Sequence, residues 1–273
     1  MAGEFWFGLF LSYFGRSGIN FLISCCSSFC VCLLTRHLPF FFLFITPHQQ
    51  SSTIQEVWMK RAQANINDSH NEYLSDLTRI ASTKYIPTEH DILISRVRTT
   101  TQVTVEKMYD STIEGIEFEV YDAGQQRSER RKWMHYFDNV DAVICVAALS
   151  EYDQCLAKDK RKNCMIESLN IFESVVKNTQ FADCNFMLYL NKKDIFAEKI
   201  MYSNIQDSPF FSDYAGPPKD FDQGVLYFIQ RFEEHLDMYD HGIHVTCATD
   251  TNNMEFVFTS NMGFVLPTCT LRR

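Results

Sequence analysis

The sequence predicts an α/β protein built on a doubly wound parallel sheet, and three features of it lead there. Short apolar runs suited to strands recur at residues 118–121 (FEVY), 142–148 (AVICVAA), 186–190 (FMLYL) and 244–247 (HVTC). Stretches with helical spacing of apolar residues alternate with them, at 128–137, 164–178 and 222–239. Polar groups stand at or just past the ends of three of the runs, where an open α/β sheet binds its ligands, beyond the carboxyl ends of the strands.

Taken in chain order, the first block stands apart. Residues 5–45 are crowded with Phe, Leu, Ile and Cys and hold no acidic residue. Within them, residues 17–35 carry no charge and come close to the roughly 20 residues that cross a bilayer, with Arg16 before and Arg36-His37 behind. Three readings stand side by side: translated non-coding sequence, since helical and strand periodicity are both missing; a membrane segment; and a buried helix of a soluble protein. No small-residue cleavage motif marks a conventional signal peptide.

Residues 54–80 have a broken three-to-four spacing of Val57, Ala64, Tyr73, Leu74, Leu77 and Ile80, with Asn67-Asp68-Ser69 as an interior turn, so two helices with a short connection are expected. Pro87 closes this part. The run 142–148 is apolar throughout, as a strand buried on both faces of a parallel sheet requires. The length, 273 residues, allows one or two globular units. A net charge of −9 with no concentrated basic surface argues against nucleic-acid binding. The ten cysteines form no paired framework, and Cys145 and Cys155 sit in apolar segments, so reduced thiols are expected.

The chemistry sits at the strand ends. Asn191-Lys192-Lys193-Asp194 follows FMLYL. A carboxylate there can accept from the ring N–H and exocyclic amine of guanine, a pair that adenine does not offer. The Asn amide can reach the other edge of the base, and a Lys stem can cover its ring. In Thr246-Cys247-Ala248-Thr249 the N–H of Ala248 can donate to the guanine O6. Asp122-Ala123-Gly124-Gln125-Gln126 follows FEVY: the Asp suits a Mg²⁺-bound water, the Gly backbone a γ-phosphate, and Gln126 an attacking water. Each also has an ordinary reading, a solvated turn for the first and an N-cap Asp for the last.

The segments DAGQQRSERRKWMHYF, LSEYDQCL, NKKD and TCATDTNN closely resemble, in this order, the alpha subunits of heterotrimeric G proteins, and YIPTEHDIL, RVRTT and NDSHNEYLSDLTRI extend the likeness over about residues 54–258. The resemblance implies a Ras-like GTPase domain at 91–258, a remnant of the inserted all-helical domain at 54–90, and non-family segments at 1–53 and 259–273. It implies GTP or GDP as ligand, Mg²⁺ as cofactor, GTP hydrolysis coupling receptors to effectors, and a peripheral place on the cytoplasmic face of the plasma membrane. Carried onto this sequence, Arg96 is the built-in arginine finger and Gln126 positions the water. Thr99 is a Mg²⁺ ligand and Asp122 supports the metal through water. Asn191, Lys192, Lys193, Asp194 and Ala248 surround the base. Asp68, Ser69, Leu93, Ile94, Ser95, Val97 and Arg98 line the nucleotide from the helical-domain side and first switch, and Ala123, Gly124 and Gln125 from the second. Lys132, Trp133 and Tyr136 fall on the surface that meets the beta-gamma dimer.

The chain departs from the family's pattern at several points. No G-x-x-x-x-G-K-[ST] occurs anywhere in it, so the nest of N–H groups, the phosphate Lys and the Mg²⁺ hydroxyl of that loop are missing, and the first strand of the sheet is expected to be missing with them. Gln125 stands where the family has Gly. Thr101 is followed by extra residues up to Glu106. Lys158, Lys160, Arg161 and Lys162 make a usually acidic third switch basic, and read as a solvated loop. Glu167 and Arg130, whose counterparts pair across the switches, remain. After Phe258 the segment TSNMGFVLPTCTLRR is a poor helix, so receptor coupling through a terminal helix is in doubt. Crippled GTP turnover is therefore expected, with a non-enzymatic module that binds beta-gamma or an effector through the second switch as the alternative. His241, His244 and Cys247 have metal-like spacing, but a strand would separate their faces, and no metal site is expected there.

Overall fold

A computed structural model describes residues 19–26, 76–80, 82–94, 104–109, 117–122, 140–156, 159–182, 184–236 and 241–260. Six strands form one sheet: β1 (Ile19–Cys26), β2 (Thr104–Tyr109), β3 (Glu117–Asp122), β4 (Ala142–Ala148), β7 (Asn185–Asn191) and β8 (His241–Val245), in the order β2-β3-β1-β4-β7-β8. All neighbours are parallel except β2, which runs antiparallel to β3 along the edge. The expected α/β architecture with a largely parallel sheet is borne out.

β4 and β7 form because their runs are continuously apolar. Six of seven residues of each are buried, and Ala142 to Ala148 pair in register with Asn185 to Asn191. α3 (Cys164–Val176) buries Cys164, Met165, Ser168, Leu169, Ile171, Phe172, Val175 and Val176, the three-to-four spacing of one helical face. Its start is fixed by Asn163, whose Oδ1 accepts from the N–H groups of Met165 and Ile166. α5 (Phe221–Glu233) is capped by Asp220 and buries Gly224, Val225, Phe228 and Phe232. Gly224 is required by close approach, since a Cβ there would stand 2.9 Å from both Ile200 Cδ1 and Phe196 Cζ. Fully buried Tyr152, Phe196, Phe211 and Phe228 form an aromatic cluster, with Phe228 in ring contact with the other three.

Several expectations are corrected. The first strand of the sheet is present, supplied by Ile19–Cys26 from within the apolar block, with Ile19 to Ile23 paired to Phe118 to Asp122 and Phe21 to Cys26 paired to Ala142 to Ala147. An uncharged apolar run suits a central strand as well as it suits a membrane, and β3 and β4 leave a slot with a backbone edge on either side. Residues 17–35 are therefore not one spanning helix, and among the described residues no helix is long and apolar enough to cross a membrane. Of the loop expected at 158–162, the described residues 159–162 lie instead in β6 (Asp159–Asn163), antiparallel to β5 (Cys155–Leu156), although Lys160 and Arg161 are exposed as expected. β8 lies at His241–Val245 rather than 244–247, because pairing of His241 with Phe186 sets its register. Cys247 then falls in the following turn.

Two short helices frame the stretch around Pro87: α1 (Leu77–Ile80) and α2 (Glu89–Ile94). α2 opens on a reciprocal cap, with Thr88 Oγ1 accepting from Asp91 N–H at 3.2 Å and Asp91 Oδ2 from Thr88 N–H at 2.7 Å. Arg79 grips both oxygens of Asp91 at 2.8 and 2.7 Å, tying the two helices together. That guanidinium, more than any other cause, holds the Asp91 carboxyl well below the usual carboxylate range against the opposing effect of its burial. Among the described residues Cys145, Cys155, Cys164, Cys184 and Cys247 are free thiols, as expected. Burial pushes Cys145 up to about 12. A last helix covers the described residues 251–260.

Candidate functional site at the carboxyl edge of the sheet

β1, β3, β4, β7 and β8 all end on the same edge, at Cys26, Asp122, Ala148, Asn191 and Val245. The polar groups picked out in the sequence gather there because parallel strands point their carboxyl ends one way. Asp122 closes β3, in register with Ile23 of β1 and Thr104 of β2.

The best-defined part joins the ends of β7 and β8. Asn191 Oδ1 accepts from Ala248 N–H at 2.9 Å and lies 3.3 Å from Thr246 Oγ1, so one side chain ties the two strand ends together. Two backbone bonds reinforce it: Thr246 N–H donates to Leu190 O at 2.8 Å and Lys193 N–H to Thr246 O at 3.1 Å. Ala248 N–H, expected to face a guanine O6, is thus donated within the protein to Asn191. A base oxygen must share that donor or displace the Asn carbonyl. Asn253 Oδ1 accepts from Cys247 N–H at 2.8 Å, which holds the turn against the last helix.

Lys192 is the turning point between β7 and α4 (Lys193–Lys199), with φ of 61°, a left-handed conformation uncommon for a residue with a side chain. Its Nζ stands 3.4 Å from Oε1 of Glu151, a buried residue in the 3₁₀ turn Leu149–Glu151 that follows β4. At the other end of α4, Lys199 is buried and donates to Ser150 O at 2.7 Å while pairing with Asp153 at 2.5 Å. Asp194, in the first turn of α4, is exposed at the edge. Burial, with the negative charge of Asp194 adding to it, raises the thiol of Cys247 above its ordinary range, partly offset by the contact with Thr249.

Asn191, Lys192, Lys193, Asp194 and Ala248 are therefore neighbours in space. Leu93 and Ile94 are buried in α2. Asp68, Ser69, Ser95, Arg96, Val97, Arg98, Thr99, Ala123, Gly124, Gln125, Gln126, Arg130, Lys132, Trp133 and Tyr136 lie outside the described residues, as does the side chain of Asp122. Among the described residues no group of three or more His, Cys, Asp and Glu could hold a metal ion, and the side chain of His241 lies outside them. Glu151, Lys199 and Asn253 were not singled out by sequence reasoning. The signal for Asn253 was Asp250, which accepts from its N–H and starts the last helix. For Glu151 the signals were its place just beyond an apolar strand and within the segment LSEYDQCL.

The family described as G-protein alpha subunit matches residues 44–263. The guanine nucleotide-binding protein alpha-7 subunit of Caenorhabditis elegans is 40% identical over 217 residues, which cover 78% of this chain and 59% of that protein. The alpha-7 subunit of Caenorhabditis briggsae matches to the same extent. The chain thus spans 59% of the length of these relatives. With strand ends joined as described and a match over most of its length, the chain belongs to the heterotrimeric G-protein alpha-subunit family.

Proposed function

We propose that this chain is a guanine-nucleotide-binding alpha subunit that keeps the base-reading half of its site and has lost much of the phosphate half. The observation that carries this is the union of Asn191, Lys192 and Asp194 with Ala248 at the ends of β7 and β8. Asp194 is exposed where it can accept from the two N–H donors of guanine, and the Asn191 amide nitrogen is a donor for the ring. The relatives' names support guanine nucleotides as the ligand class.

On the phosphate side, the sequence that follows β1 begins Ser27-Ser28-Phe29 and has neither the glycines nor the Lys of a phosphate-cradle motif. Arg96, Gln126, Thr99 and Asp122 are assigned the roles of arginine finger, water-positioning residue, Mg²⁺ ligand and water-mediated metal support. A hydroxyl and a carboxylate are hard oxygen donors, the kind Mg²⁺ takes when phosphates and water complete its shell, and Asp122 closes β3 at the shared edge. Mg²⁺ bound there supplies charge neutralisation between the phosphates. Residues 54–90 are assigned to the remnant of the helical domain, and Lys132, Trp133 and Tyr136 to the beta-gamma surface.

Titration of the chain with fluorescent GTP and Mg²⁺ tests the reading. Weak binding with a preference for guanine over adenine nucleotides is expected; micromolar or tighter affinity for GTP overturns the loss of the phosphate half, and absence of a guanine preference overturns the rest. A pull-down with purified beta-gamma is expected to recover the chain, and failure to do so removes the partner assignment.

A further inference from the structure

We infer that Glu151 is a positioning residue for base recognition, holding Lys192 so that its stem lies along the face of the base; this rests on the guanine-reading proposal above. Lys192 is held in a left-handed backbone conformation that is unfavourable for a residue with a side chain. A strained residue of this kind persists only where its surroundings hold it. Backbone bonds on either side do part of this, Lys193 N–H to Thr246 O and Phe196 N–H to Lys192 O. The side chain is steered separately, toward Glu151.

The carboxylate is unusual in its isolation. Its side chain is only 6% exposed, Oε1 meets the Lys192 ammonium, and Oε2, also buried, meets no donor among the described residues. A buried carboxylate with one oxygen lacking a donor among the described residues is costly, and its other oxygen meets the Lys192 ammonium. Lys192 is itself largely covered, with 20% of its side chain exposed, so the attraction is poorly screened.

The support beneath Glu151 explains why the contact has a fixed direction. Ser150 O accepts from the buried Lys199, Asp153 pairs with the same ammonium, and Tyr152 is wholly buried against Phe196 of α4. α4 therefore reaches back to one turn from both ends, through Lys192 and through Lys199. Lys199 fixes the turn, and Glu151 then fixes Lys192.

The test compares the full chain with Glu151→Gln and Glu151→Asp, using two readouts. Acetylation of Lys192 relative to Lys193, followed by mass spectrometry, reports the contact without any nucleotide. The ratio of GDP to ADP affinity, read by saturation-transfer NMR, reports base recognition. In Glu151→Gln, Lys192 labelling should rise severalfold and the GDP preference should fall about tenfold, while Glu151→Asp recovers part of both. Unchanged labelling in a folded Glu151→Gln chain overturns the contact. Raised labelling with an unchanged GDP preference overturns the positioning role alone. A parent chain without any GDP preference overturns the guanine reading itself, and the positioning role falls with it. Should Glu151→Gln fail to fold, Lys192→Met, which keeps an apolar stem and removes the ammonium, replaces it: a GDP preference equal to the parent's then overturns the role of the ion pair.

Discussion

Replacing Asn191 separates its two duties, as a strut between strand ends and as a donor to a base. In Asn191→Ala the Ala248 N–H loses its acceptor at 2.9 Å, and Thr246 Oγ1 loses a weaker one at 3.3 Å. A half-buried N–H left without a partner costs about 1–3 kcal/mol, whereas the hydroxyl can rotate to another acceptor and adds little. The expected loss is therefore about 1–2 kcal/mol, or roughly 3–6 °C in melting temperature for a chain of this size. Asn191→Asp keeps both acceptor functions and makes them charge-assisted, so its stability should stay within about 0.5 kcal/mol of the parent while its base-facing amide is lost. Urea unfolding gives the stabilities, and hydrogen exchange at the Ala248 amide gives the local effect, with faster exchange in the Ala variant and protection retained in the Asp variant. If Ala248 exchange is the same in the parent and Asn191→Ala, or if the Asp variant falls as far as the Ala variant, the strut does not hold the site together.

Phe228→Ala removes a fully buried ring that touches Tyr152, Phe196, Phe211 and Tyr227, and should cost about 3–5 kcal/mol in urea unfolding. Lys199→Met leaves Asp153 without its buried cation and should cost about 3 kcal/mol, measured the same way, while Lys177→Met at the exposed C-cap of α3 should cost well under 1 kcal/mol. The Asp91 carboxyl is depressed in the folded chain, so its contribution is full above its unfolded value near 4 and is lost as pH falls from there through the lower folded value. Acid titration followed at the Ile92 amide should show this loss below about pH 4, and Asp91→Asn should remove that pH dependence.

The elements most legible in the sequence were those whose burial is written as an unbroken apolar run or a regular face. AVICVAA and FMLYL gave β4 and β7 almost to the residue, and the spacing of Met165, Leu169, Phe172 and Val176 gave α3. Edge elements were less legible. The extra residues up to Glu106 run into TVEKMY, which pairs antiparallel with β3 because an edge strand can expose one side. The charged pairing of β5 with β6 was hidden for the same reason. β8 was misplaced by a few residues because His241 and Gly242 carry no apolar signal, and only its partner strand fixes the register. At the site, NKKD and Ala248 could be named because chemistry fixes their types and order. The clasp of α4 by Glu151 and Lys199 could not, since it joins residues 41 and 49 positions apart through a 3₁₀ turn.

The strand supplied by the apolar block also sets the order in which the sheet can assemble. β4, α3 and β7 form a crossover unit from nearby sequence and can dock early, with β8 following. β1 must instead find β3 and β4 across a long span of chain, since Phe21 pairs with Ala142. Such a loop closes slowly, and until it does β3 and β4 each present an open backbone edge, with β4 apolar on both faces. The nascent chain is then most exposed to pairing with its neighbours, so aggregation during refolding should rise with concentration and be relieved by a peptide carrying INFLISCC.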